Sequence, residues 1–230
     1  MNGFQRFTNR TEAGQALADE IRKREFEAPV ILALPRGGVP VAFEIACALN
    51  APLDLVLVRK IGVPHQHELA LAAVVDGDEP EVVVNEEVAA ITGVGQDYLD
   101  AEVKRELKEI ERRRSFYLQG REQVRVKDRT AIVVDDGIAT GASMRAALHA
   151  LRRKSPLKLV LAVPVAPVET LDAMAEEVDE SICLATPEPF IAIGLHYADF
   201  SQTPDEEVRT LLTRADALRT GHGTESRKSS

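Results

Sequence analysis

The sequence has no tryptophan, only two cysteines and few aromatic residues of any kind (4%). Two cysteines without CxxC spacing or histidine company exclude a disulfide scaffold and a cysteine-built metal framework. Cys47 and Cys183 each stand in an apolar stretch and read as reduced core residues of a cytoplasmic protein. No apolar run reaches the ~20 residues of a membrane helix, and MNGFQRFTNR lacks the apolar centre of a signal peptide, so no membrane partner is expected. A basic surplus is missing too. The 37 acids outnumber the 28 lysines and arginines, for a net charge of −9, which argues against a nucleic-acid partner held through its phosphates. The scarcity of aromatic rings counts further against RNA binding, since stacking needs them. One basic cluster, Arg112–Arg114, lies in a segment equally rich in Glu and reads as a solvated helix face.

The chain does contain a regular alternation of short β-rich runs and helical patterns. Its 230 residues are enough to bury a sizeable core, and the organisation suggests a single domain over 1–218 with a polar, disordered tail over 219–230. VILAL (Val30–Leu34) predicts a strand buried on both faces, followed by a helix with Val39, Ala42, Ala46 and Leu49 on one side. LDLVLV (Leu53–Val58), TAIVV (Thr130–Val134), LKLVLAVPV (Leu157–Val165) and SICLA (Ser181–Ala185) predict further strands. Helices are expected from Ser143 and over Val168–Val178. This rhythm predicts an α/β fold with a doubly wound, mostly parallel sheet covered by helices on both faces. The section 61–125 interrupts it. There a Gly/Pro/His-rich loop, a hairpin of LAAVV and EVVVN, and a charged helix near Gln96–Gly120 form an insertion, and insertions this long tend to be functional.

The chemistry concentrates at IVVDDGIATGAS (Ile132–Ser143), where a buried strand ends in two adjacent acids. Such carboxylates raise each other's pKa unless a partner intervenes. Ligands of open α/β sheets bind beyond the carboxyl ends of strands, which is where Asp135 and Asp136 fall. Ala139, Thr140, Gly141, Ala142 and Ser143 follow as a turn into a helix N-terminus, an anion nest suited to a phosphate monoester. Carboxylates beside such a nest suit the vicinal hydroxyls of a sugar, or Mg²⁺. A second turn, LPRGGVP, offers Arg36 as a bidentate cation and Gly37 and Gly38 for close backbone approach. Arg59 and Lys60 add charge at the end of the next strand. Plainer readings exist for each: a strand-end turn capped by Ser143 with solvated acids, an ordinary strand-to-helix turn, and a solvated strand end.

On these residues the chain resembles the type I phosphoribosyltransferases, in particular a bacterial branch of predicted members. IVVDDGIATGAS is similar to their signature for 5-phosphoribosyl diphosphate (PRPP), PRGG to their pyrophosphate loop, and RKIGVP to the Arg-Lys before the mobile loop of adenine-type members. The match covers roughly Val30–Val165. The resemblance implies a Mg²⁺-dependent pentosyltransferase of nucleotide metabolism, a homodimer, whose partners are PRPP and a small nitrogen acceptor. It assigns Arg36, Asp135 and Asp136 to catalysis. Asp135 and Asp136 would also meet the metal, through water and with Mg²⁺ held mainly by PRPP. A hood would form from the N-terminal segment and residues 186–216, with Phe190 or Ile191 near the base. Oxopurine-type members carry an acid at the place of Ala139 and a base-binding Lys after the strand matching Leu157–Val165. The chain has neither, which points away from guanine and hypoxanthine.

Other readings are a non-catalytic PRPP- or nucleotide-binding regulator, and a hydrolase with Asp135 as nucleophile, for which a supporting Lys and a second acidic motif are missing. His65 and His67 lack further ligands at metal spacing, so they read as part of a mobile loop over Ile61–Pro80.

Overall fold

The computed structural model describes residues 6–77 and 80–225. In chain order it contains α1 (Arg10–Ile21), β1 (Val30–Ala33), α2 (Gly38–Leu49), β2 (Leu53–Leu55), β3 (Val58–Val63), β4 (Gln66–Val75), β5 (Glu81–Val84), α3 (Glu86–Thr92), α4 (Gln96–Leu118), β6 (Thr130–Val134), α5 (Ala142–Arg153), β7 (Lys158–Val165), α6 (Val168–Asp172), β8 (Glu180–Ala185) and α7 (Asp205–Glu225). A 3₁₀ turn lies at Ile193–His196.

The central sheet has five strands in the order β2-β1-β6-β7-β8, and every neighbouring pair is parallel. VILAL, predicted to be buried on both faces, is so buried, and TAIVV is too: no residue of β1 or β6 is exposed. Alternation along each strand divides them between two cores. Ile31, Ala33, Ile132 and Val134 pack with Leu17 of α1, Ile45 of α2 and Leu212 of α7. Val30, Leu32, Ala131 and Val133 pack with Met144, Leu148 and Leu151 of α5. Full burial of one such aliphatic side chain is worth about 1.5–3 kcal/mol, so the middle of the sheet is a rigid platform. Ala33 stands level with Val134 in the β1–β6 register. The turns after these two strands therefore emerge side by side at the carboxyl edge of the sheet.

Several expectations need correction. The run 53–58 is not one strand: β2 ends at Leu55 and β3 begins at Val58, in a separate antiparallel sheet β3-β4-β5. The stretch after Lys60, expected to be an irregular mobile loop, is a hairpin. β3 and β4 pair from Val58↔Val75 to Val63↔Gln66 and turn at Pro64-His65, where exposed His65 has φ 65°. Ile61, Val63, Leu71 and Val74 are buried, so apolar alternation outweighs the Gly and Pro content, and Gly62 takes up the register shifts. The side chain of His67 lies outside the described residues.

An unexpected helix, α3, follows β5. Asn85, read as the last residue of a strand, instead caps it, its side chain accepting the Val88 N–H at 3.2 Å. The helix expected over Val168–Val178 stops at Asp172. At the end of the chain α7 continues through Glu225, so much of the expected disordered tail is helical; 226–230 lie outside the described residues. Cys47 is exposed, because the buried face of α2 is carried by Ala42, Ile45 and Ala46. Cys183 is half-buried, and burial pushes its thiol up to about 11. No helix among the described residues is long and apolar enough to cross a membrane.

Candidate active site

The turn after β1 closes with the Gly38 N–H donating to the Leu34 carbonyl at 3.1 Å. It lies hard against the acids of the neighbouring strand. A Cβ on Gly37 would stand 2.1 Å from Asp136 Oδ2, and one on Gly38 would stand 2.7 Å from the Val134 carbonyl oxygen. Only glycine permits that approach. The other turn enters α5 through Gly141, whose φ is 72° and whose place leaves no room for a side chain beside Met174. The helix starts at Ala142, one residue before the expected Ser143, and no side chain caps it. Ser143 is therefore not a cap, and the leading amides of α5 have no helical partner. Ala139 and Thr140 are exposed, while Ala142 and Ser143 are partly so. The Ala139 carbonyl accepts a hydrogen bond from the Thr170 hydroxyl at 2.8 Å.

Asp136 is buried, and Asp135 is partly buried at the wall of a cavity. Burial, and then the Asp136 charge, raise the Asp135 carboxyl well above the carboxylate range. Asp135 Oδ1 accepts the Asp136 backbone N–H at 2.8 Å. Asp136 is also raised by burial, an effect opposed by Arg10, whose Nε donates to Asp136 Oδ2 at 2.7 Å. Arg10 is held in turn. Its Nη1 donates to the Ser201 carbonyl at 2.7 Å, and its guanidinium lies 4.1 Å from the centre of the Phe200 ring. Tyr197 is buried, and its hydroxyl donates to the Asp136 carbonyl at 2.5 Å. The N-terminal segment and residues 196–198 are tied by Phe7 N–H to His196 O at 2.8 Å and Ala198 N–H to Phe7 O at 2.7 Å. Two distant pieces of chain thus meet over Asp136.

Two cavities open here and share Pro35 and Arg113 in their walls. The larger, about 530 Å³, adds Arg10, Arg36, Arg112, Asp136 and Asp205. The smaller, about 120 Å³, adds Arg59, Asp135 and Ser143. Arg36 Nη1 lies 3.5 Å from Asp205 Oδ1, which also accepts the Tyr117 hydroxyl at 2.6 Å. Burial and that acceptor push the Tyr117 hydroxyl up to about 12. Arg59 Nε donates to the buried Glu106 at 2.7 Å.

The structure therefore gathers Arg36, Gly37, Gly38, Arg59, Asp135, Asp136 and the 139–143 turn at one edge of the sheet. It does not bring Lys60 there. Lys60 is exposed, and alternation along β3 turns it away from the side taken by Arg59. Phe190 and Ile191 line neither cavity: Phe190 stacks on His196 at 5.8 Å, and Ile191 is 74% exposed. The Arg112–Arg114 cluster is not merely a solvated face, since Arg113 lines both cavities and Arg114 pairs with buried Asp76 at 3.2 Å. Sequence reasoning missed Arg10, Tyr117, Tyr197 and Asp205. Arg10 lies 126 residues from Asp136, and nothing near it in the chain marks it. For Mg²⁺, no cluster of three or more His, Cys, Asp or Glu among the described residues could hold a metal ion. Two carboxylates still fit a cation that takes one or two protein acids and completes its shell with substrate phosphates and water.

The family description "Phosphoribosyl transferase domain" matches residues 6–197. Two Mycobacterium tuberculosis proteins named "Putative phosphoribosyl transferase", MT0597 of strain CDC 1551 / Oshkosh and Rv0571c of strain ATCC 25618 / H37Rv, are each 44% identical over 209 residues. The matched region is 91% of this chain but 47% of theirs, so the chain spans about half the length of these curated relatives. The crystal structure of TT1426 from Thermus thermophilus superposes with a TM-score of 0.80 at 40% identity, over 91% of this chain and 99% of that one.

Proposed function

The chain belongs to the phosphoribosyl transferase domain family, and on that premise we propose that it transfers the 5-phosphoribosyl group of PRPP to an acceptor nitrogen, releasing pyrophosphate. The observation that carries this reading is the convergence of the Asp135-Asp136 pair, the Gly37-Gly38 turn and the open 139–143 nest at one sheet edge. A ligand with a phosphate, a vicinal diol and a diphosphate has one group for each.

In this reading the leading amides of α5, with Thr140 and Ser143, hold the 5-phosphate. Asp135 and Asp136 accept hydrogen bonds from the ribose hydroxyls, and Arg10 and Tyr197 keep Asp136 in place. Arg36 and the amides of the Gly37 turn bind the departing diphosphate. Asp135 and Asp136, through water, would hold Mg²⁺, which would supply charge neutralisation for the departing diphosphate. As the bond to the leaving group breaks, positive charge develops at the anomeric carbon. The preorganised acids and arginines stabilise the separating charges without having to reorganise. The acceptor is a nucleobase or related amine other than guanine or hypoxanthine. Ala139 offers no carboxylate, and Val163–Pro167 offers no Lys, to pair with a 6-oxo purine edge. Buried polar groups left unpaired cost about 1–3 kcal/mol each.

Incubation with PRPP, Mg²⁺ and separate bases, followed by mass detection of nucleoside monophosphates and assay of pyrophosphate, tests this. AMP or a pyrimidine nucleotide is the expected kind of product. Efficient formation of GMP or IMP would overturn the acceptor assignment. PRPP binding without transfer to any base would favour a regulatory protein.

A further inference from the structure

Building on the transferase reading, we propose that Arg113 of the inserted helix α4 grips the diphosphate of the substrate from the side opposite the Gly37 turn. Arg113 is set apart by its position, since it lines both the 530 Å³ and the 120 Å³ cavities. One holds Arg36 and Asp136, the other Arg59, Asp135 and Ser143, and Pro35 belongs to both. Arg113 is thus a cation common to the wall that holds Arg36 and the wall that holds Arg59.

Its hydrogen bonding leaves it available. Arg113 Nε donates to Glu109 Oε1 at 2.8 Å, and its two terminal nitrogens make no hydrogen bond among the described residues. Arg112 differs: its Nε and Nη2 both donate to Glu109, at 2.8 and 2.9 Å, and its side chain is 67% exposed. Glu109 is held down at about 2 by these arginines, so it remains a carboxylate and keeps the Arg113 fork oriented. A guanidinium anchored at Nε presents its terminal nitrogens to phosphate oxygens, the geometry in which Arg surpasses Lys.

The helix is fixed well enough to place that fork. Tyr98 donates to the Gly62 carbonyl at 3.0 Å, Glu106 accepts Arg59 at 2.7 Å, and Tyr117 donates to Asp205 at 2.6 Å. α4 is thus tied to β3 at one end and to α7 at the other. The insertion thus supplies a cation from a helix whose Arg112–Arg114 cluster the sequence alone read as a solvated face.

Titration of the full chain with inorganic pyrophosphate in the presence of Mg²⁺ tests the assignment without requiring turnover, and ribose 5-phosphate serves as the reference ligand. Arg113→Gln should bind pyrophosphate at least about tenfold more weakly and ribose 5-phosphate as the wild type does, while Arg113→Lys recovers part of the loss. Unchanged pyrophosphate affinity in Arg113→Gln would overturn the proposal, as would equal weakening of both ligands. If pyrophosphate binding depends on Arg113 but no base is ever ribosylated, the transferase reading fails and the anion grip stands. Efficient transfer with an unchanged KM for PRPP in Arg113→Gln would overturn the grip and leave the transferase reading intact.

Discussion

At the residue scale the acid pair sets stability against function. Asp135 is raised well above the carboxylate range by burial and by its neighbour's charge. A carboxyl whose folded pKa exceeds its unfolded one binds the proton better when folded, so stability falls as pH climbs from about 4 toward the folded pKa. Asp135→Asn, which keeps the oxygen that accepts the Asp136 N–H, should therefore raise Tm at about pH 7–8. The gain should shrink as pH is lowered to about 4. Thermal unfolding of both proteins across that range checks the sign; a difference that grows on acidification would refute it. Gly37 makes the opposite case. The Cβ of Gly37→Ala would meet Asp136 Oδ2 at 2.1 Å, so the acid or the turn must move. Overpacking costs about 1–3 kcal/mol, and PRPP affinity should drop about tenfold or more, both readable by melting and titration.

At the element scale, the strand ends and turns that form the candidate site were legible because their signals are local. An apolar run, a pair of acids and a Gly-rich turn are contiguous in the chain, and the β1–β6 register then sets Arg36–Gly38 beside Asp135–Asp136. The predicted pairing of LAAVV with EVVVN is present as β4–β5, but the β3–β4 hairpin was not legible. Gly62 and Pro64 suggested a loop, whereas the burial of Ile61, Val63 and Leu71 depends on α4 and the central core, which no local pattern reveals. The same holds for Arg10 and Asp205, which reach the site from far along the sequence. A paired hairpin predicts that the amides of Ile61 and Leu71–Val75 exchange slowly even without ligand. Any protection gained on PRPP binding should be confined to the turn around Pro64–Gln66. Uniformly fast exchange over 61–75 would restore the mobile loop. Tyr98→Phe, which removes the bond to Gly62, should cost about 1 kcal/mol by denaturant unfolding.

At the scale of the whole molecule, a chain of net charge −9 gathers Arg10, Arg36, Arg59, Arg112 and Arg113 around two adjoining cavities. This local field runs against the global one, so binding of a polyphosphate should weaken as salt screens it. In the proposed transferase the Asp135-Asp136 pair receives the ribose of PRPP between two anion-binding turns. The most direct measurement is calorimetric titration of PRPP·Mg²⁺ into the wild type and into a folded Asp135→Asn/Asp136→Asn variant. Charged hydrogen bonds contribute about 1.5–3 kcal/mol each, so at least about a tenfold loss of affinity is expected in the variant. Equal affinity in the two proteins would contradict the assignment.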